Sequence, residues 1–134
     1  MVKICWQGLR PTNLTLSFRR TAADIIICDL GWPAAHRLDA ALLYRLALEK
    51  AAAAARYNAV GEEGIPLREI AGSIGRGLKL PVVSLSPEKV GEHFGWLSMM
   101  VGMDMPASSA KTQEWLGWRP SHDGLIADLD QAKF

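Results

Sequence analysis

Cysteine is scarce in this sequence, and so are long apolar runs and any excess of one charge. The two cysteines among 134 residues, Cys5 and Cys28, lie too far apart to form a C-x-x-C pair. This spacing excludes a disulfide framework and a zinc-binding cysteine motif, and it favours reduced thiols in a cytosolic setting. The apolar runs are too short to span a bilayer. We therefore expect a soluble, cytoplasmic protein without a membrane partner.

Neither charge dominates, because 15 lysines and arginines stand against 14 aspartates and glutamates. A nucleic-acid-binding surface needs basic residues clustered on one face, and no such cluster occurs, so nucleic acid is not an expected partner. The beginning of the chain is the exception, since no acidic residue precedes Asp24 although Lys3, Arg10, Arg19 and Arg20 do. Such starts are typical of mitochondrial transit peptides, and mitochondrial import is the alternative localisation.

The apolar residues, 49% of the chain, suit one small globular domain, and the length leaves no room for a two-lobed dehydrogenase. Residues 1–30 differ from the rest of the chain. Leu14 to Phe18 alternates with a period of two, and Ile25 to Ile27 is a β-branched run, so both pieces favour strands. We predict that residues 1–30 are strand-like or poorly ordered and that residues 31–134 form a separate α/β domain.

The first helix is predicted from Ala40 to Lys50, after an extended stretch and with Asp39 as its N-cap. Its apolar face would combine two neighbouring stripes at helical spacing, Leu38, Leu42 and Leu46 beside Ala41, Tyr44 and Leu48. The alanine run at 51–55 contains no helix breaker, so we expect it to prolong this helix.

Downstream of this helix, strands and further helices are predicted to alternate. Short strands are expected at 56–60, where Gly61 and Gly64 end the run, and at 80–85. Helix starts are marked by capping signals, at Pro66, at Pro87 after Ser86, and after Ser108 or Ser109. Gly117 would end the last of these, and 125–132 would form a final helical piece. The predicted fold class is α/β, a small mixed lobe of about four helices with short strands.

Two short motifs imitate active sites. Gly72 to Gly77 spells a G-x-x-G-x-G string, and Ser73 lies in a sequence similar to a nucleophile elbow. Both motifs work only on a turn between a strand and a helix, whereas here they fall inside an amphipathic helix. We therefore interpret the glycines as packing or helix-end positions. A small serine hydrolase with Ser73, Asp104 and His122 is the least favoured functional alternative.

Other chemically capable residues lack partners at the required spacing. Tyr44 and Lys50 are six positions apart and so lie on different helix faces, whereas the catalytic pair of a reductase sits at i and i+4. His36, His93 and His122 are isolated in the sequence, without a carboxylate or a second histidine at ligand spacing. No metal site is expected.

Three segments, taken in order, form a family-like pattern. Residues 32–41 (WPAAHRLDAA) look like a hydrophobic-His-Val-x-Asp element that leads into a helix continuing as YRLALE at 44–49. Residues 70–82 are similar to the helix and strand of a substrate lobe, and 108–120 ends in LGWRP, similar to a closing Leu-Gly-Trp-x-Pro signature. Through these motifs the chain resembles the C-terminal part of the NAD-dependent epimerase/dehydratase family, the extended or atypical short-chain dehydrogenases/reductases.

This resemblance implies a protein of two lobes. A Rossmann lobe binds NAD(P) and carries a Tyr-x-x-x-Lys pair, while a small C-terminal lobe closes over the substrate. The present sequence shows no counterpart of the glycine fingerprint or of the Tyr-x-x-x-Lys pair. The resemblance therefore implies a truncated substrate-side lobe without catalytic residues, which binds no NAD(P) alone. Such a chain would be inactive by itself, because hydride transfer needs a held nicotinamide and a proton shuttle.

By the same resemblance, the substrate-binding residues would be remnants of a pocket wall, namely Trp32, His36, Arg37 and Trp96. A purely structural role is the alternative for Trp32 and His36. The expected partner is a Rossmann-lobe protein, on which this chain would dock as a complementing subunit or a small-ligand-binding module. Self-association is the other possibility. The substrate and the choice between NAD and NADP stay open.

Overall fold

The computed structural model describes residues 2–4, 30–50 and 52–132. The strands are β1 (Val2–Ile4), β2 (Gly31–Ala34), β3 (Tyr57–Ala59) and β4 (Glu62–Pro66). The helices are α1 (Arg37–Lys50), α2 (Leu67–Leu78), α3 (Pro87–Phe94), α4 (Ser98–Val101), α5 (Ala110–Leu116) and α6 (Leu125–Gln131), with a 3-10 helix at Gly95–Leu97. This arrangement confirms the predicted small mixed α/β lobe. The strands predicted at 14–18 and 25–27 lie outside the described residues.

The described strands form two short sheets, and helices pack against both of them. Strand β1 pairs with β3 in parallel, and β2 pairs with β4 in an antiparallel ladder that is irregular between Trp32 and Ala34. Gly31 is paired with Pro66 in that ladder and also comes close to Gly64, because a Cβ on Gly31 would lie 3.2 Å from the Gly64 Cα. The two backbones can therefore approach closely only because both residues lack a side chain.

Two hydrophobic clusters form the core of the described part. The first lies between the β2–β4 sheet, α2 and α6, and its buried residues are Ala34, Ile65, Ile70, Ala71 and Ile74. The second lies between α1, β3 and the end of α5, and its buried residues are Ala40, Leu43, Tyr57, Ala59, Leu116 and Trp118. The junction between β2 and α1 therefore connects the two clusters.

Helix α1 differs from its prediction in three ways. It begins at Arg37, so Asp39 lies within the first turn and is not the N-cap. Its buried face is formed by Asp39, Ala40 and Leu43, whereas Leu38, Leu42, Tyr44 and Leu48 of the predicted apolar face are exposed. It ends at Lys50, and the chain then turns through Ala54, whose φ is +61°, so the alanine run does not prolong the helix.

One predicted strand is confirmed, one is wrong and one was missed. The expected strand at 56–60 is present as β3. Residues 80–85, expected as a strand, are irregular. Glu62–Pro66 forms β4, although Gly61 and Gly64 were expected to end the strand before it. The reason is the close pairing with β2, which requires glycine where the local pattern signals a break.

The capping signals locate the later helices well. Helix α2 follows Pro66, α3 has Pro87 as its first residue, and α5 ends at Gly117, whose φ of +66° is the left-handed conformation that glycine allows. The helix that begins at Pro87 ends at Phe94, and the next residue, Gly95, has a φ of +54°. Ser109 takes the N-cap position of α5, but its hydroxyl donates to the Val60 carbonyl at 2.5 Å.

The start of α6 depends on a glycine that leaves room for a carboxylate. Glu62 Oε2 accepts a hydrogen bond from the Leu125 backbone N–H at 2.7 Å, and a Cβ on Gly124 would lie 2.5 Å from Glu62 Oε1. We predict that Gly124→Ala displaces Glu62 and lowers the free energy of unfolding by about 1 kcal/mol. The measurement is urea denaturation followed by circular dichroism.

Gly91→Ala is the matched control. Gly91 lies in α3, and no atom lies within 4 Å of a Cβ built there. Alanine is the better helix former by about 1 kcal/mol, so this variant should be as stable as the parent or more so. Equal destabilisation by the two substitutions would contradict the role given to Glu62.

Candidate functional site

The β2–α1 junction positions the first residues of the candidate site. Pro33, Ala34 and Ala35 are buried and fix the chain as it leaves β2. His36 follows, and its Nδ1 accepts a hydrogen bond from the Leu38 backbone N–H at 3.2 Å, which caps the first turn of α1. Because Nδ1 accepts, the proton of the neutral ring lies on Nε2.

Asp39 is the centre of the site, although only 1% of its surface is exposed. Its Oδ1 accepts from the Ser121 N–H at 3.1 Å and lies 2.7 Å from the His122 Nδ1. Its Oδ2 accepts from the His122 N–H at 3.1 Å. A carboxylate only accepts hydrogen bonds, so the His122 Nδ1 carries a proton. One buried carboxylate thus holds the turn after Trp118 against the first turn of α1.

The hydrogen bonds decide the ionisation of Asp39. Burial is the largest single influence and by itself raises the pKa of this carboxyl. The bonds from the His122 ring and from the Ser121 and His122 amides, together with the charge of His122, outweigh burial and lower the pKa of Asp39 below its ordinary value of 3.8. The carboxylate is therefore the stable form in the folded protein near neutral pH.

His36 and His122 stack on each other above this carboxylate. Their ring centroids are 4.6 Å apart and their planes are inclined by 7°. The prediction that these two histidines are isolated is therefore wrong, because the fold brings together residues 86 positions apart in sequence. His122 remains partly exposed at the surface, so the pair offers imidazole groups to solvent.

The same three residues could hold a metal ion by distance alone, since one ligand atom from each of His36, Asp39 and His122 lies within 4.8 Å of the others. The orientation is unfavourable for this. An imidazole binds an ion through a lone pair in its ring plane, and two nearly parallel stacked rings do not direct their planes at one point. Both Asp39 oxygens are already hydrogen-bonded. The arrangement suits a hydrogen-bonded acid–imidazole pair better than a cation.

The four predicted substrate-binding residues fall into two groups. Trp32, His36 and Arg37 lie along β2 and the start of α1. Trp32 packs against the first core cluster and donates from its Nε1 to the Met103 carbonyl at 3.2 Å, whereas Arg37 is exposed. Trp96 lies in the 3-10 helix, 78% exposed, and among the described residues no hydrogen bond or ring contact joins it to the other three. Their role in binding stays a prediction.

The sequence interpretation missed Asp39 and His122 as members of one site. The H-x-x-D spacing at residues 36–39 is visible in the sequence, but it was interpreted only as part of the family-like element, with Asp39 as a helix cap. No local signal marks His122, because its partners lie on another element. The sequence pattern could have found it only through the LGWRP segment, which ends just before Ser121.

Ser73 is not positioned to act as a nucleophile. It lies in the middle of α2, is buried, and donates its hydroxyl to Asp130 Oδ1 at 2.5 Å. The two residues considered as its catalytic partners are bound elsewhere, since Asp104 Oδ1 accepts from the Gly31 N–H at 2.8 Å and His122 contacts Asp39. A serine hydrolase would need Ser73 on an exposed turn, so this alternative is dropped.

Two curated proteins are similar to this chain in sequence. One is an uncharacterized protein of Schizosaccharomyces pombe, 56% identical over 98 residues, and the other an uncharacterized protein of Saccharomyces cerevisiae, 46% identical over 99 residues. These matches cover 73% and 74% of this chain and 33% of each relative. The chain thus spans about a third of the length of the curated relatives it matches. It matches no protein-family profile.

Two solved structures share the fold. RMD from Pseudomonas aeruginosa, complexed with NADPH, matches 96% of this chain and 43% of its own, with a TM-score of 0.61 and 14% identity. A functionally unknown conserved protein from Silicibacter pomeroyi matches 80% of this chain and 39% of its own, with a TM-score of 0.58 and 18% identity. The chain therefore shares its fold with part of each of these two larger proteins. No helix of the described part is long and apolar enough to cross a membrane.

Proposed function

We propose that this chain is the substrate-side lobe of an NAD(P)-dependent epimerase- or reductase-like protein and does not catalyse by itself. The proposal rests on one observation, namely that the structural match covers a much larger share of this chain than of RMD. Almost all of this chain matches RMD, which was solved with NADPH, while more than half of RMD lies outside the match. That remaining part would supply the nucleotide-binding lobe.

We do not expect this lobe to bind the cofactor by itself, and the reason is physical. A dinucleotide is held by backbone N–H groups at a helix start that follows a strand, with glycines allowing close approach. The glycine string from Gly72 to Gly77 lies instead within α2, where Gly75 is buried and the intrahelical bonds occupy the backbone N–H groups. Hydride transfer needs the nicotinamide held against the substrate, so turnover requires the other lobe.

The substrate side of the proposal rests on the β2–α1 junction. The stacked rings of His36 and His122 place two imidazoles at one surface of the lobe, and the exposed Arg37 follows His36 in the sequence. Asp39 keeps His122 in a fixed orientation and with its Nδ1 protonated, which leaves Nε2 as the group to meet a ligand. Such groups can donate to and accept from the hydroxyls or carbonyls of a polar substrate.

NADPH binding tests this proposal. The chain alone, titrated with NADPH and followed by nucleotide fluorescence, should show no binding. A chimera in which residues 30–132 of this chain replace the matching region of the S. pombe relative should bind NADPH as tightly as that relative does. The unmodified relative is the control for the nucleotide-binding lobe.

Two results would overturn the proposal. One is tight NADPH binding by the isolated chain, and the other is a relative that binds neither NADPH nor NADH. A chimera that is folded but fails to bind a nucleotide its parent binds would also count against the shared architecture.

A further inference from the structure

Three consecutive helical pieces pack mainly on one another. They are α3, the 3-10 helix and α4, and residues 87–101 together are called the helical unit. No residue of α3 or of the 3-10 helix is buried, and Trp96 and Met99 are strongly exposed. Val101 is the one buried residue of α4, and neither core cluster of the described part includes a residue of the helical unit. The helical unit therefore gains little stability from the rest of the lobe.

The pieces are also too short to be stable by themselves. Helix α3 has eight residues and α4 has four, whereas isolated helices shorter than about 12–15 residues are marginal in water. Gly91 lies inside α3 and is a poorer helix former than alanine. Gly95, whose φ is +54°, then prevents α3 from continuing into the 3-10 helix as one longer helix.

One buried group makes the closed form of the helical unit less stable still. The Nε2 atom of His93 is buried, and no described residue forms a hydrogen bond with it. The ring of His93 meets the neighbouring Phe94 ring edge-on, at 4.7 Å between centroids. A buried polar atom without a partner destabilises the state that buries it, because that atom is hydrated when the segment opens.

Both ends of the helical unit are joined to fixed parts of the lobe. On one side, Val82 packs against the first core cluster. On the other, the Met103 carbonyl accepts from the Trp32 Nε1–H at 3.2 Å, and the Met105 N–H donates to the Gly31 carbonyl at 3.0 Å. The chain can therefore open between residues 83 and 102 without releasing the segments on either side.

Helix α6 shows that short length alone does not set the helical unit apart. It has seven residues, and none of them is buried. However, Asp130 accepts hydrogen bonds from the Ser73 hydroxyl and the Arg76 guanidinium of α2, at 2.5 Å and 2.9 Å. Three apolar residues of α6 also pack against the first core cluster, namely Leu125, Ile126 and Leu129. The difference lies in attachment to the core.

We infer that the helical unit opens and closes by local unfolding, as one cooperative body, while the rest of the described lobe stays folded. This inference goes beyond the proposed function and does not depend on it. Segments that open to admit ligands or that move in regulation come from the least stable part of a protein. The helical unit is that part here, so it is the moving element of the lobe.

Hydrogen exchange of individual backbone amides, measured by NMR on the full chain, tests the inference. The hydrogen-bonded amides of α3 should exchange at least about tenfold faster than the amide of Ile74 in α2. They should exceed the rate at Asp128 in α6 by a similar factor, because α6 is attached to the core. The Met105 amide, just beyond the helical unit, should exchange as slowly as these two.

Gly91→Ala tests whether the helical unit opens as one body. No atom lies within 4 Å of a Cβ built on Gly91, so alanine changes the helix propensity of α3 and no contact. This change should slow exchange in α3 by about fivefold. The Gly102 amide, which donates to the Ser98 carbonyl at 3.1 Å, should slow by the same factor, although it lies beyond α4. The Met105 and Ile74 amides should keep the rates of the parent.

Three results would overturn the inference. The first is exchange in α3 that is as slow as in α2, which would mean that the helical unit opens only when the whole lobe unfolds. The second is a Gly91→Ala variant in which α3 slows and Gly102 does not, since α3 would then fray alone. The third is equal slowing at Gly102, Met105 and Ile74, because the helical unit would then share the global unfolding of the lobe.

Discussion

Replacing Trp118 with alanine should unfold most of the described lobe at modest denaturant concentrations. The indole is completely buried in the second core cluster and donates its Nε1–H to the Asp39 carbonyl at 2.8 Å. Removing a buried tryptophan side chain costs about 3–5 kcal/mol, partly through lost burial and partly through the cavity. That is a large share of the 5–15 kcal/mol that stabilises a typical domain. Urea denaturation followed by circular dichroism measures it.

Two further variants separate burial from the hydrogen bond. Trp118→Phe keeps most of the apolar volume and removes the N–H donor, so we expect a loss nearer to about 1 kcal/mol. Trp115→Ala is the matched control, because Trp115 lies three residues earlier, on α5, is 58% exposed and meets the Tyr57 ring edge-on at 6.2 Å. The loss of unfolding free energy in Trp115→Ala should also be small. If Trp115→Ala destabilised the protein as much as Trp118→Ala, the second core cluster would be misplaced.

The helix ends could be predicted because their signals are local. Pro87 at the first position of α3 and Gly117 after α5 act through their own backbone preferences, so a few neighbouring residues decide the outcome. Pro66 before α2 follows the same logic. The predicted α/β class followed from the order of these elements.

Which face of α1 is buried could not be predicted, because tertiary contacts decide it. The two neighbouring stripes predicted one apolar face, yet the helix buries Asp39 with Ala40 and Leu43. A carboxylate is buried only when distant donors compensate its desolvation, and those donors come from residues 121 and 122. For the same reason the His36–His122 stack has no sequence signal.

Strand β4 was missed on similar grounds. Gly61 and Gly64 are strand breakers by local preference, but Gly64 is needed where its backbone meets Gly31 across the ladder. Only the neighbouring strand β2 reveals this, and β2 lies about thirty positions earlier in the sequence. The candidate site was hard to predict for the same reason, because its residues come from β2, the start of α1 and the turn before α6, which are distant in the sequence.

Asp39→Asn should be the most damaging polar substitution in the described part, at about 2–4 kcal/mol near neutral pH. The carboxylate accepts from the Ser121 N–H, the His122 N–H and the His122 Nδ1. Asparagine offers one oxygen and turns its NH2 toward a donor, so at least one of the Ser121 and His122 N–H groups loses its acceptor. His122→Ala removes only the ring bond and the stack with His36, and should cost about 1 kcal/mol. Urea denaturation at pH 7 compares the two.

The pH dependence of the unfolding free energy shows whether the negative charge of Asp39 causes this stabilisation. The pKa of Asp39 is lowered in the folded protein from its ordinary value of 3.8, so its contribution to stability is complete well above that value and is lost as the pH falls through the folded pKa. Asp39→Asn lacks this contribution at every pH. The difference in unfolding free energy between parent and variant should therefore be largest near pH 7 and shrink below about pH 4.

Asp128→Asn serves as the control for this measurement, because Asp128 is an exposed carboxylate in α6. The difference in unfolding free energy between Asp128→Asn and the parent should stay small across the same pH range. A difference for Asp39→Asn that stayed constant from pH 7 to pH 3 would mean that shape, and not the charge held by three donors, makes Asp39 important. The turn that carries His122 would then be fixed by packing around Trp118, and the imidazole would have no dedicated orienting group.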